Sequence, residues 1–228
     1  MVWRPDDHQC RSEVARPGVG VVQQQRQLLV SAMTDRPARS RGFSLLELMI
    51  TIAVMAILLA IALPSFRDVF HRNEVSSASN ALLASVSYAR SESITRGQLV
   101  SMCPSADGAS CTTSGTAFDP GWLVYTYPAG AASANLAYNA ASATLLRAIP
   151  EQSGVSIQAL GSKVITFGQQ GQLEPSGTPT LEFITCYRSA SSGVGESTTE
   201  APGVELQVNG SGSSTTTSLA AGASCTPS

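Results

Sequence analysis

Charge is scarce in this chain of 228 residues: fourteen Lys+Arg and sixteen Asp+Glu make up 13% of it, about half the usual share. With a formal net charge of only -2, it is not a highly charged disordered chain. Aromatics are also few, at 6% against 43% hydrophobic residues, so the chain can bury one modest core. Its length argues for one compact domain with appendages. Ser, Thr, Gly and Ala take the place of the missing charges, the composition of a secreted or surface-exposed protein. Histidine is nearly absent, and past residue 42 only His71 remains. One histidine and scattered carboxylates build no Ser/His/Asp constellation, phosphate loop or metal cluster, which excludes catalysis. His71 itself reads as a solvated or headgroup-level residue. The acidic balance argues against nucleic acid, which favours basic domains.

The few charges are unevenly placed. Residues 1–42 hold seven arginines (Arg4, Arg11, Arg16, Arg26, Arg36, Arg39, Arg41) against four acids, a balance of +3. From Phe43 onward seven cations face twelve acids, a balance of -5. A basic head before an acidic body suggests two compartments. The boundary is the stretch FSLLELMITIAVMAILLAIAL, Phe43 to Leu63, with Glu47 as its one charge. About 21 residues at ~1.5 Å each cross a ~30 Å hydrocarbon core as a helix. The preceding arginines keep residues 1–42 in the cytoplasm and send the rest across, a single pass. The run exceeds the ~7 to 15 apolar residues of a secretory signal, and no A-x-A site precedes Pro64. A soluble core helix would rarely be apolar around its whole circumference.

Glu47 separates a plain anchor from a more specific reading, because a carboxylate at this depth costs a few kcal/mol and asks for a partner. The string Arg41-Gly42-Phe43-Ser44-Leu45-Leu46-Glu47, followed by the apolar run and Pro64, resembles the class III signal of type IV prepilins and pseudopilins. That resemblance implies cleavage after Gly42 by prepilin peptidase and N-methylation of the new Phe43 amine. It further implies that Glu47 pairs with the Phe43 amine of a neighbouring subunit during assembly, cancelling two charges in a low-dielectric bundle. Pro64 takes the place of the family's helix-kinking proline. A start at Met33 would give the ten-residue leader MTDRPARSRG, so residues 1–32, with the odd Cys10, are expected to be a start-site artefact.

Beyond Pro64 helical periodicity resumes. Phe66, Val69, Phe70, Val75, Ala78, Leu82, Val86, Ala89 and Ile94 recur at helical spacings, which predicts one helix from Phe43 to about Arg96, with an amphipathic half over 64–97 and Gly97 as its C-cap. From residue 98 to 228 the chain reads as a β-rich globular domain. Strands are predicted at Gln98 to Cys103, Gly121 to Tyr127, Thr144 to Ile149, Gly154 to Ala159, Ser162 to Phe167, Thr180 to Tyr187 and Gly203 to Val208. Segments 104–119, 128–142, 188–202 and 209–224 read as loops, the last partly disordered.

Cys103, Cys111, Cys186 and Cys225 form an even set in an exported domain, which favours disulfides. Four cysteines allow three connectivities; the short CPSADGASC loop, turning through Asp107-Gly108, favours Cys103 with Cys111 and, by elimination, Cys186 with Cys225. In the chain-entropy model these loops contribute ~2.6 and ~3.9 kcal/mol. Zinc is disfavoured because the C-x-x-C spacing is absent and no histidine is near.

The strings Tyr88-Ala89-Arg90-Ser91-Glu92, Val100 to Cys111, Gly121-Trp122-Leu123-Val124-Tyr125 and Ile165-Thr166-Phe167-Gly168 with Gly171 are similar to the GspH/FimT (FimT/FimU-like) group of minor pilins and pseudopilins. The resemblance implies an α+β pilin-like fold, a long N-terminal helix packed on an antiparallel β-sheet domain. It implies a minor pilin of a type IV pilus, incorporated at the tip or in an assembly-priming complex, with other minor pilins, a major pilin and the inner membrane as partners and no cofactor. The alternatives are a GspH-like pseudopilin of type II secretion and a DNA-binding FimT-like competence pilin. The last is weakened by the C-terminal stretch GVELQVNGSGSSTTTSLAAGASCTPS, which has no Lys or Arg to neutralise phosphates.

Overall fold

The computed structural model of the chain describes residues 42–112, 114–130, 133–161, 164–190 and 193–228. Met33, Cys10 and the rest of the leader lie outside the described residues. The chain divides into two compact units, residues 1–50 and 51–228. Helix α1, Leu45–Arg96, begins in the first and continues in the second. It runs without interruption through Pro64, whose side chain is outside the described part.

In the larger unit α1 becomes one-sided. Val75, Ala78, Leu82, Val86 and Ala89, at steps of three and four, are buried on its packed face. Phe66, Val69, Phe70 and Ile94 share the periodicity but stay exposed, from 51% to 64%. The spacing alone does not disclose this split. The helix ends where Gly97 takes φ +60° and Gln98 N–H reaches the Ser93 carbonyl at 3.3 Å, a Schellman closure.

Nine strands follow in two antiparallel sheets. Sheet A has the order β3-β2-β1-β5-β6, from β1 (Val100–Pro104), β2 (Trp122–Thr126), β3 (Thr144–Ile149), β5 (Ile165–Phe167) and β6 (Leu173–Glu174). Sheet B has the order β4-β7-β8-β9, from β4 (Val155–Ala159), β7 (Leu181–Tyr187), β8 (Val204–Val208) and β9 (Ser214–Ser218). Neither β6 nor β9 follows from the sequence pattern. β9 corrects the expectation of a partly disordered loop over 209–224, since Ser-Thr-Thr-Thr-Ser pairs along its whole length with β8. Hydroxyl-rich residues on a mostly exposed strand bury little, so its composition is that of a loop.

The packed face of α1 shares one core with the inner faces of both sheets. Met102, Trp122, Val124, Ile157, Phe167, Phe183 and Leu206 all join it. Burying a side chain such as Leu82 or Phe183 contributes roughly 1.5 to 3 kcal/mol. The outer face of each sheet carries a smaller cluster, Cys103 with Leu123, Tyr125 and Tyr127 behind sheet A, and Ile184 with Cys186 and Cys225 behind sheet B. No second helix layer covers those faces among the described residues; a disulfide sits on each instead.

Candidate processing and assembly site

The N-terminal site is built by a helix start. Ser44 lies just before α1, its Oγ accepting the Glu47 N–H at 3.1 Å while its carbonyl accepts the Leu48 N–H at 3.1 Å. Ser-x-x-Glu is the sequence of a capping box, and a carboxylate in the first turn also suits the helix dipole. Gly42 and Phe43 precede the cap in non-helical backbone. A Cβ on Gly42 would meet nothing within 4 Å, and Phe43 is 75% exposed. The segment with the sequence of a cleavage site is therefore open. Within α1, the large apolar side chains from Leu45 to Ile61 are at least half exposed. The helix is long and apolar enough to cross a membrane.

In the larger unit, the Tyr88–Glu92 string does more than present a polar helix face. The Arg147 guanidinium of β3 lies 4.0 Å over the Tyr88 ring, and Ala89 is wholly buried. Arg90 donates Nε to the Gly171 carbonyl at 3.1 Å and Nη2 to the Ser211 carbonyl at 3.2 Å. It thus pins the turn between β5 and β6 and the turn between β8 and β9 to the helix. Glu92 pairs with Arg96 one turn on, at 2.5 Å. Trp122 is fully buried in the main core.

His71 is not simply solvated. Its ring stacks on Tyr187 of β7 at 3.8 Å, and the next residue, Arg72, donates Nε to the Glu200 carbonyl at 2.8 Å. A pair the sequence did not signal sits nearby: Arg188 Nη1 meets Asp119 Oδ2 at 2.8 Å, with both side chains about nine-tenths buried. Asp119 Oδ1 also accepts the Ile157 N–H at 3.4 Å, tying the approach to β2 to sheet B. The two residues are 69 apart in sequence, too far for any local pattern to pair them.

Both disulfides are present: Cys103–Cys111, eight residues apart, and Cys186–Cys225, 39 apart. The four cysteines among the described residues are thus all in disulfides. The first loop is ordered by Asp107. Its carboxylate accepts Ser110 Oγ at 2.6 Å, the N–H groups of Ala109 and Ser110 at 2.9 and 2.8 Å, and Ser105 Oγ at 3.0 Å. These bonds hold its pKa well below the usual carboxylate range. Tyr125, pushed up by burial, donates its hydroxyl to the Leu136 carbonyl at 2.8 Å. Tyr127 likewise donates to the Ala137 carbonyl, so the 128–142 loop is fastened to the back of sheet A.

Comparison with known proteins gives two family matches. Type II transport protein GspH matches residues 78–212, and the prokaryotic N-terminal methylation motif matches residues 37–63. Fimbrial protein EcpC of Eikenella corrodens is 52% identical over 40 residues, 18% of this chain and 26% of that protein. The match thus spans about a quarter of that relative's length. Two crystal forms of the type IV minor pilin FimU of Pseudomonas aeruginosa align at 19% and 18% identity, with TM-scores of 0.45 and 0.43. They cover 67% and 65% of this chain and 97% and 99% of theirs.

Proposed function

The chain belongs to the GspH family of minor pilins and pseudopilins, and from that premise we propose that it is a minor pilin of a type IV pilus, incorporated through α1 at the tip or in an assembly-priming complex. Proteins of this family are structural subunits, not enzymes. One observation carries the reading: an open Gly42–Phe43 segment runs directly into a capped, apolar, exposed helix start that holds Glu47. An exposed apolar helix needs lipid or other helices around it, and a cleavable leader allows it to pass from one to the other.

Prepilin peptidase cuts after Gly42 and Phe43 is N-methylated. The precursor is held in the inner membrane with residues 98–228 in the periplasm, and that domain reaches the exterior when the subunit assembles. The fimbrial relative supports a pilus role; that role would lie in biogenesis, twitching and adhesion. A second reading, a pseudopilin of type II secretion, is supported by the match of residues 78–212 to type II transport protein GspH. DNA binding has less support. Arg188 is paired with Asp119 inside the fold, Arg147 lies on Tyr88, and residues 203–228 carry no cation.

The test is deletion of the gene, followed by counting of surface pili, twitching assays and assay of folded exoproteins in the medium. Loss of pili and twitching with normal secretion is expected. A defect confined to secretion would reverse the assignment.

A further inference from the structure

Each sheet has two edges, and three of the four are blunted. Edge strand β3 carries Arg147 and a register shift against β2 between Val124 and Tyr125. β6 is two residues long and runs into Pro175. β4 is covered by the preceding loop, through Phe118 N–H to the Ile157 carbonyl at 2.8 Å and Ala159 N–H to the Thr116 carbonyl at 3.0 Å. These are the usual devices against edge pairing: charge, irregularity, shortness, proline and cover. β9 has none of them. It is five residues without charge or proline, in unbroken register with β8, and no strand lies beyond it among the described residues.

The unused backbone groups can be named. Leu219 N–H reaches the Gly203 carbonyl at 2.8 Å, and Asn209 N–H reaches the Ser213 carbonyl at 2.9 Å. Residues 213 and 219 therefore face β8, and by the alternation of an antiparallel ladder so do 215 and 217. Ser214, Thr216 and Ser218 turn their N–H and C=O groups to the open edge.

That edge is one wall of a groove whose other wall is α1. A cavity of about 260 Å³ lies where Ser87, Arg90 and Ile94 face Gly212 and Ser214. A second, of about 210 Å³, lies where Ser79 and Asn80 face Thr216 and Ser218. The four steps from Ser214 to Ser218 span ~13 Å, and the ten from Asn80 to Arg90 span ~15 Å, so the pits lie at the two ends of one seam. A strand edge beside a helix, with pits for alternate side chains, is the geometry by which extended segments add to a sheet.

The charge in the seam indicates its occupant. Arg90 is the one charged residue lining either cavity, its bonds go to two neutral carbonyls, and no carboxylate pairs with it among the described residues. Self-pairing fits poorly. Antiparallel β9–β9 pairing sets a two-fold axis across the sheet, so the two α1 helices would run in opposite directions, which two chains anchored in one membrane cannot do. Head-to-tail pairing would need a second copy's β3, β4 or β6 edge, and each of these is blunted.

We infer that this seam binds an extended segment of a different, neighbouring subunit, which adds to sheet B beyond β9 with an acidic side chain set at Arg90 and a short polar one at Asn80. The inference rests on the chain being an assembly subunit, in a pilus or a secretion system alike.

Thr216→Pro tests it with little disturbance. The lost N–H faces the open edge, so the β8–β9 ladder keeps all its bonds. A photo-crosslinking residue is placed at Asn80, or as a control at Glu205 on the other face of sheet B, in the full chain expressed in its own cells. Cross-linked peptides are then identified from assembled fractions. The expected result is a cross-link from position 80 to an acid-containing segment of another pilin-type subunit. It should be about tenfold weaker in the Thr216→Pro chain, the effect of losing a main-chain bond and stranding its partner. The two disulfides and the unfolding midpoint of that variant report that it still folds. Cross-links only to a second copy, or a position-80 cross-link indifferent to Thr216→Pro in a folded chain, would overturn the inference. So would the absence of any position-80 product from a strain whose twitching depends on this chain, and that result would leave the pilus reading standing. A partner belonging to a secretion complex would do the reverse.

Discussion

Asp107 is exposed and yet the most heavily bonded carboxylate described: two hydroxyls and two backbone N–H groups converge on it inside the Cys103–Cys111 loop. Those bonds favour its ionised form, so its pKa in the folded chain lies below the 3.8 of the free side chain. A depressed carboxylate stabilises the fold above the unfolded pKa, and that contribution fades as the pH drops from about 4 toward the lower folded value. The stability difference between the natural chain and Asp107→Asn is therefore expected to be constant from about pH 5 to 7 and to shrink in more acid solution. Urea unfolding of the detergent-solubilised chain across pH 3 to 7 reads this directly. A difference that grows on acidification would contradict the assignment. Glu182 is shifted the other way, first by desolvation and then by the nearby Glu205, so it works against the fold once ionised.

At the scale of elements, the turn from β8 to β9 is where packing is tightest. Gly212 sits at φ +77°, and a Cβ there would lie 1.9 Å from the Gly171 carbonyl oxygen, with Arg90 Nε at 3.0 Å. Gly222 has the same φ with nothing within 4 Å. Gly222→Ala should therefore cost about 1 kcal/mol, the backbone strain alone, and Gly212→Ala about 3 kcal/mol, because a carbonyl must move as well. Equal losses in urea unfolding would mean that the hairpin is not held against the β5–β6 turn. The same hairpin marks the limit of what the sequence discloses. Seven strands are legible as apolar or β-branched runs between turn residues, and all but the mostly exposed β3 bury a face. β9 is not, because its stability comes from pairing with β8 and from Arg90, and neither leaves a mark on Ser-Thr-Thr-Thr-Ser. In the same way, Phe66, Val69 and Phe70 look like core by periodicity, although the packed face of α1 begins only near Val75. The Asp119–Arg188 pair was invisible because tertiary distance alone creates it.

For the molecule as a whole, the decisive arrangement is one carboxylate at the head of an exposed apolar helix, joined through the chain to a domain stapled by two disulfides. The N-terminal motif was the most legible part of the sequence because its chemistry is local: Gly42 opens the backbone, Ser44 starts the helix, and Glu47 stands three residues on. Cleavage after Gly42 would remove the basic leader, leave a balance of -5, and create an ammonium group on Phe43, four residues before that carboxylate. Either charge alone in a bundle of apolar helices is costly, and the proposed pairing between subunits would offset both. Glu47→Ala should leave cleavage intact, since the cut precedes the helix. The matured subunit should stay in the membrane fraction and be depleted from sheared filaments. Glu47→Gln keeps the size and hydrogen-bonding reach but not the charge, so it should fail as well. Immunoblots of the two fractions, with the amino terminus sequenced, separate processing from incorporation. If Glu47→Gln chains entered filaments at the natural level, a neutral hydrogen bond would suffice and the charge pairing would be wrong.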